Sequence, residues 1–308
     1  MNRFFATAIA TSATFAALAV AAPVSAQNVP EPRDSFHKEF IEQFDRPTSK
    51  YFHTSARRTG DDFRYFPGVS SLSEKETDVM IFRIDPNDPV GAGRGPEIVS
   101  KEKTHFGTYS ARLRVPDVTK VQPNVGAVVG YFTYLTHDNA DGLSEIDFEW
   151  LIADPEVIYI GTWTGNRPLN RIGRIINLAK GIVYNTSYRK GDGENTPFTD
   201  EAGNTPRTIA PIEGYDASAR FYTYGFDWLP DRLTWWIEHP QTGEKIVLWD
   251  YTGSTPEFSG IPKNPTLYRL NFWHTNNWAV QTNPNSLEKP LYPYEVEVDW
   301  MKYTPLGK

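Results

Sequence analysis

The sequence predicts an all-β fold, a sandwich of two stacked sheets, on three observations. Few stretches sustain the period of an amphipathic helix. Many short apolar-rich runs instead have the length and residue types of strands. Between them cluster Gly, Pro, Asn and Asp, the turn chemistry that an antiparallel sandwich requires.

The expected strands fall, in order, at 79–84, 107–115, 126–135, 145–152, 157–163, 221–228, 233–238, 245–249, 268–273 and 294–303. The run at 233–238 follows the turn signal Pro230-Asp231 and reads as the return arm of a hairpin. In the last run Val296, Val298 and Trp300 alternate with Glu295, Glu297 and Asp299, which predicts one buried face and one that is wet or binds something. The polar stretch 185–215, with Gly191, Gly193, Gly203 and Gly214, predicts a long surface excursion. No internal repeat or low-complexity linker divides the chain, so residues 27–308 are expected to form one domain.

Residues 1–26 are set apart. Arg3 is their only charge, an apolar run extends from about 4 to 20, and Val24-Ser25-Ala26 supplies small residues for cleavage. That pattern predicts a signal peptide, and it is too short and too rich in Ala and Thr for a membrane span. The expected location is secreted or periplasmic. Without a cysteine, the chain has no disulfide, thiolate nucleophile, zinc–cysteine site or lipid-modified cysteine. Its formal charge of −7, one unit more negative without Arg3, carries no basic footprint for nucleic acid. Aromatic residues make up 14% of the chain, which suits an all-β core and also suits a cleft where flat rings meet the apolar faces of sugars.

The densest chemistry lies in Glu145-Ile146-Asp147-Phe148-Glu149-Trp150. Extended, this segment puts Glu145, Asp147 and Glu149 on one face and Ile146, Phe148 and Trp150 on the other. Hydrophobic burial explains the second set and not the first. Four residues along a strand separate the Glu145 and Glu149 Cα atoms by roughly 13 Å. Side chains leaning together bring the carboxyl groups to about 5–6 Å, near the roughly 5–5.5 Å of a retaining glycosidase. Glu145 would then be the nucleophile and Glu149 the acid/base. Asp147 between them would hydrogen-bond to one partner and shift its proton affinity, the three titrating as a coupled set. A solvated acidic face, or a calcium site of oxygen ligands, is the plainer reading of the motif in isolation.

The segment 144–151 closely resembles the catalytic signature of glycoside hydrolase family 16, and within it of the lichenase-like members whose catalytic strand has no bulge. Companions follow in family order from about 105 to 303. His105-Phe106-Gly107-Thr108-Tyr109-Ser110-Ala111-Arg112 is similar to a strand carrying a substrate-contacting Arg, and 130–134 to the aromatic strand before the catalytic one. The hairpin of 222–228 with 235–237, the segment Leu270-Asn271-Phe272-Trp273 and the closing strand 298–303 also have counterparts. Residues 34–100 fit only loosely.

The resemblance implies a concanavalin-like jelly-roll β-sandwich of two antiparallel sheets with a cleft on its concave face. It implies that Arg112, Phe132, Tyr134, Asn271 and Trp273 line the cleft, with Trp163 where a sugar-contacting Tyr is usual. Asp299 matches a residue tied to a structural calcium; no other cofactor is implied. Ser110, Gly161 and His274 stand where lichenases have Glu, Asn and Asn, which leaves the acid row intact and bears on the sugar accepted. Arg167, Arg171, Arg174 and Lys180 read as a solvated loop or short helix face, or as a contact for an acidic or substituted glycan.

The expected activity is a retaining endo-β-glycosidase acting on a polysaccharide, with β-glucan favoured. A monomer with neither nucleic-acid nor membrane partner is expected. A transglycosylase on the same scaffold, a carbohydrate-binding lectin without turnover and a calcium-stabilised adhesion module are the alternatives.

Overall fold

A computed structural model describes residues 38–46, 48–57, 65–69, 78–85, 95–116, 127–152, 154–167, 169–184, 209–253, 260–274 and 293–307. The expected signal at 1–26 and most of the excursion at 185–215 lie outside them.

Sixteen strands and no helix form among the described residues. In chain order they are β1 (Phe40–Glu42), β2 (Phe52–Arg57), β3 (Tyr65–Val69), β4 (Asp78–Ile84), β5 (Gly95–Ser100), β6 (Gly107–Arg114), β7 (Ala127–Thr136) and β8 (Leu143–Leu151). There follow β9 (Val157–Gly165), β10 (Asn170–Asn177), β11 (Ile182–Tyr184), β12 (Tyr222–Leu229), β13 (Arg232–Glu238), β14 (Lys245–Tyr251), β15 (Tyr268–His274) and β16 (Tyr294–Pro305).

They pair antiparallel into two sheets. One runs β14-β13-β12-β6-β16-β4-β3, with β1 also paired to β16; the other runs β11-β10-β9-β8-β7-β15-β5-β2. The acidic segment is therefore an interior strand, β8, hydrogen-bonded on both sides. The sheets meet over an apolar core to which alternate residues of each strand contribute. From β8 these are Ile146, Phe148 and Trp150, all fully buried. Phe148 and Trp150 pack on Tyr224 of the facing sheet, with ring centroids 5.8 and 4.7 Å apart. Trp235 Nε1 donates to the Asp147 carbonyl at 3.1 Å, so the facing sheet also fixes the backbone of the acidic strand.

Three expectations change here. The basic stretch around Arg171 and Arg174 is neither loop nor helix: it is β10, paired along its whole length with β9. Its Ile172, Ile175 and Ile176 bury as a strand needs, but the interleaved arginines masked the alternation. The simple two-faced reading of the last strand holds only as far as Val298. The pairing with β6 goes from Val298↔Leu113 to Trp300↔Arg112, leaving Asp299 as an extra residue. One added residue exchanges the faces of everything after it, so Met301 and Tyr303, not Trp300, continue the core.

The third change concerns Arg112. Tyr109, Ala111 and Leu113 of β6 point into the core, which sends Ser110, Arg112 and Arg114 to the outer face of the sheet that lacks β8. There a ladder of ion pairs occupies the face expected to be wet. Arg83 meets Glu295 at 3.0 Å, Arg114 meets Glu297 at 2.6 Å and Arg112 meets Asp299 at 2.5 Å.

Candidate functional site

The outer face of the β8 sheet can be read as rows running across the strands, because partners in register share a face. One row is Arg171, Trp163, Glu145 and Tyr134. The next is Gly173, Gly161, Asp147, Phe132, Arg269 and Val99. The third is Ile175, Tyr159, Glu149, Gly130, Asn271 and Glu97. Trp273 stands one row further on, opposite Val128. The pairings of β8 with β7 and with β9 show no register shift, so the three carboxylates stand at regular spacing on an unbulged strand.

Glu145 and Asp147 are buried and Glu149 half-buried. Burial, then the charges of Glu145 and Glu149, pushes the Asp147 carboxyl well above its usual range. The middle carboxyl of the row is thus the one whose surroundings most disfavour its charged form. The strand entering this row is tied at its start. Ser144 Oγ accepts from the Asn264 amide at 3.1 Å, and Asn264 Nδ2 donates to Asn139 Oδ1 and to the Gly142 carbonyl, each at 3.0 Å. Thr162 Oγ1 donates to the Glu145 carbonyl at 2.7 Å.

Phe132, Tyr134, Trp163, Asn271 and Trp273 all lie on the carboxylate face. Arg112 does not: it belongs to the opposite sheet, where its guanidinium lies over the Phe221 ring at 4.7 Å and pairs with Asp299. The local match around 105–112 misled because β6 has the right sequence texture in the wrong sheet. Ser110, on the same outer face, likewise lies away from the acid row. Among the described residues the arginine on the carboxylate face of the central strands is Arg269, which pairs with buried Glu97 at 3.0 Å and lies over the Tyr134 ring at 5.5 Å. Glu97 falls on β5, a strand that was not expected, and Arg269 stands just before the segment 270–273 that carries the resemblance, so neither was singled out. Asn271 Oδ1 is buried without a hydrogen bond and projects over Gly130, where a Cβ would meet it at 2.5 Å. Glycine there opens a path from β15 to Glu149.

At Asp299, where a calcium was expected, the carboxylate meets a guanidinium. Arg112 Nη1 donates to Asp299 Oδ2 at 2.5 Å, and among the described residues no three His, Asp or Glu side chains gather to hold an ion. A guanidinium already supplies the positive charge. Chelation with EDTA is accordingly expected to leave the melting temperature within about 1 °C, since a ligand that does not bind the native state cannot stabilise it. A rise of several degrees on adding calcium would contradict the pairing.

A carboxylate row flanked by aromatic side chains, on the outer face of a two-sheet antiparallel sandwich, defines a carbohydrate-active class of fold. The sequence pattern of glycosyl hydrolases family 16 matches residues 61–302, and the chain belongs to that family. A Paenibacillus polymyxa β-glucanase is 26% identical over 205 residues, which are 65% of this chain and 59% of that protein. A Brevibacillus brevis β-glucanase is 25% identical over 215 residues, covering 68% of this chain and 60% of the relative. The chain thus aligns with about three-fifths of the length of these relatives. A solved Bacillus licheniformis β-glucanase shares the fold at a TM-score of 0.52 and 18% identity, covering 87% of this chain and 99% of its own.

Proposed function

We propose that the protein is a retaining endo-β-glycosidase that cleaves internal bonds of a β-glucan. The observation that carries this reading is the placement of Glu145 and Glu149 on one face of an unbulged interior strand with Asp147 between them, its carboxyl pushed up by burial and by both neighbours. On a regular strand, side chains leaning together at that spacing bring the carboxyl groups to about 5–6 Å, near the separation a retaining glycosidase uses.

Glu145 attacks the anomeric carbon as the bond to the leaving oxygen breaks, and Glu149 gives that oxygen its proton. A water then replaces the leaving sugar. Glu149 takes its proton, the water oxygen bonds to the anomeric carbon, and the ester to Glu145 breaks. Asp147 keeps the neighbouring charges from accumulating. Tyr134 and Trp163 flank the nucleophile and Trp273 lies beyond the acid/base, so a chain laid across the strands meets rings on both sides of the cut. An export signal at residues 1–26 accords with a polymeric substrate outside the cytoplasm.

A second reading, an acidic or substituted glucan, draws support from Arg171. Exposed, it lies over the Trp163 ring at 5.1 Å, and no carboxylate pairs with it among the described residues. Incubation with laminarin, mixed-linkage glucan, cellulose, galactans and a carboxymethylated glucan, followed by product sizing, tests both. Short oligosaccharides released from β-1,3 or mixed-linkage glucan from the first time points are expected. Preference for the carboxymethylated polymer, lost in Arg171→Gln, would favour the second reading. Products longer than the substrate would identify a transferase, and no change in any polymer would overturn the assignment.

A further inference from the structure

Gly161, a position where the sequence departs from lichenases, is not an empty space. Tyr159 fills it. The Tyr159 backbone is in register with Glu149, yet its side chain leans along β9 into the neighbouring row. A Cβ at Gly161 would stand 2.4 Å from Tyr159 Oη, and one at Gly173 would stand 2.5 Å from both Oη and Cε2. Gly161 and Gly173 are themselves partners in register, and Gly161 is the partner of Asp147. Two adjacent glycines thus make a trough in which the phenol lies, its hydroxyl beside the middle carboxylate. Val157, Ile175 and Tyr184 pack around Tyr159, which is 7% exposed.

The charged and titratable groups facing it are Glu145, Asp147 and Glu149 from β8, Arg171 from β10 and Tyr184 from β11. Burial, reinforced by the three carboxylates and opposed by Arg171, holds the Tyr159 phenol well above its usual range. It remains a proton donor throughout the working pH of a glycosidase. A neutral donor beside a row of acids favours their charged forms.

We propose that Tyr159, seated on the Gly161–Gly173 trough, is a positioning residue that donates a hydrogen bond into the acid row beside Asp147 and so sets the pH at which the row loses its protons. The inference rests on the glycosidase reading for its consequence in catalysis, though not for its physical test.

Tyr159→Phe keeps the ring and removes the donor. Gly173→Ala is the companion, because the atoms nearest its new Cβ all belong to Tyr159. Gly161→Ala is less clean, since its Cβ would also meet the Ile172 carbonyl at 2.8 Å. Carboxyl ¹³C NMR titration of the whole protein needs no substrate. In both variants the row's titration is expected to move upward by roughly 0.5–1 pH unit, the equivalent of one ordinary hydrogen bond. The double variant should move no further than either single one, since both remove the same contact. On a hydrolysed glucan the pH–rate profile should shift upward with KM unchanged. An unmoved titration in Tyr159→Phe would overturn the proposal. So would a shift in that variant absent from Gly173→Ala, or a change in KM with the pH profile fixed, which would make the phenol a sugar contact. Failure of the wild type to cleave any glucan would sink the glycosidase reading and leave the titration result standing.

Discussion

Glu145→Ala is expected to lower turnover by about 10⁴-fold or more, equivalent to ~5.4 kcal/mol of lost transition-state stabilisation, in a protein that still folds. Folding survives because the packing of β8 comes from Ile146, Phe148 and Trp150 on the other face, and because removing one of three crowded acids relieves repulsion. Added azide separates the two glutamates. In Glu145→Ala it can enter the space left by the carboxylate and give a glycosyl azide of inverted configuration. In Glu149→Ala it attacks the glycosyl–enzyme and gives the retained product, while substrates with good leaving groups keep much of their first-step rate. Near-normal turnover in either variant would end that residue's assignment, and exchanged azide products would exchange the roles.

Asp147→Asn has a second large effect, in opposite directions for rate and stability. The Asp147 carboxyl is raised by burial and by its two acidic neighbours, whereas in the unfolded chain it returns to its ordinary value of 3.8. Above that value the folded protein holds a proton that the unfolded chain has released. Stability therefore falls as pH rises from the unfolded value toward the folded one. Asparagine cannot ionise, so the variant should lose this slope and melt higher than wild type at neutral pH. Its rate should fall about 10- to 100-fold, less than the roughly 10²–10⁴ supplied by a group that itself transfers the proton. Paired thermal melts and pH–rate curves check both. A variant of lower stability at neutral pH, with an unchanged rate profile, would contradict the account of Asp147. Stability given up at a site that works is a common exchange.

The acid row was legible because its period of two is a local property: six residues carry both the buried and the reactive face. The same holds for β7, where Tyr131 alternates with Phe132 and Tyr134, and for the β12–β13 hairpin with its turn. What escaped depends on pairing between distant segments. Arg112 sits in a segment with convincing local texture, but only the partnership of β6 with β12 and β16 sends it to the far sheet. Glu97 and Arg269 meet across 172 residues of sequence. The bulge at Asp299 is invisible to alternation, because the extra residue keeps step with the polar Glu295 and Glu297 before it. Tyr159 escaped for another reason. Its reach into the site depends on two glycines on adjacent strands, and a glycine read one position at a time looks like a loss of contact rather than room for a neighbour.

Peptide mapping after treatment with an activated 2-deoxy-2-fluoro-glucoside or oligoglucoside is the most direct measurement of whether the outer glutamates share one sugar. The fluorine slows release of the glycosyl–enzyme, so the intermediate can be weighed. One sugar unit per chain, esterified to the peptide containing Glu145 and lost slowly in water, is the expected result. A label on Glu149, or none on a protein that hydrolyses the parent glycoside, would contradict it.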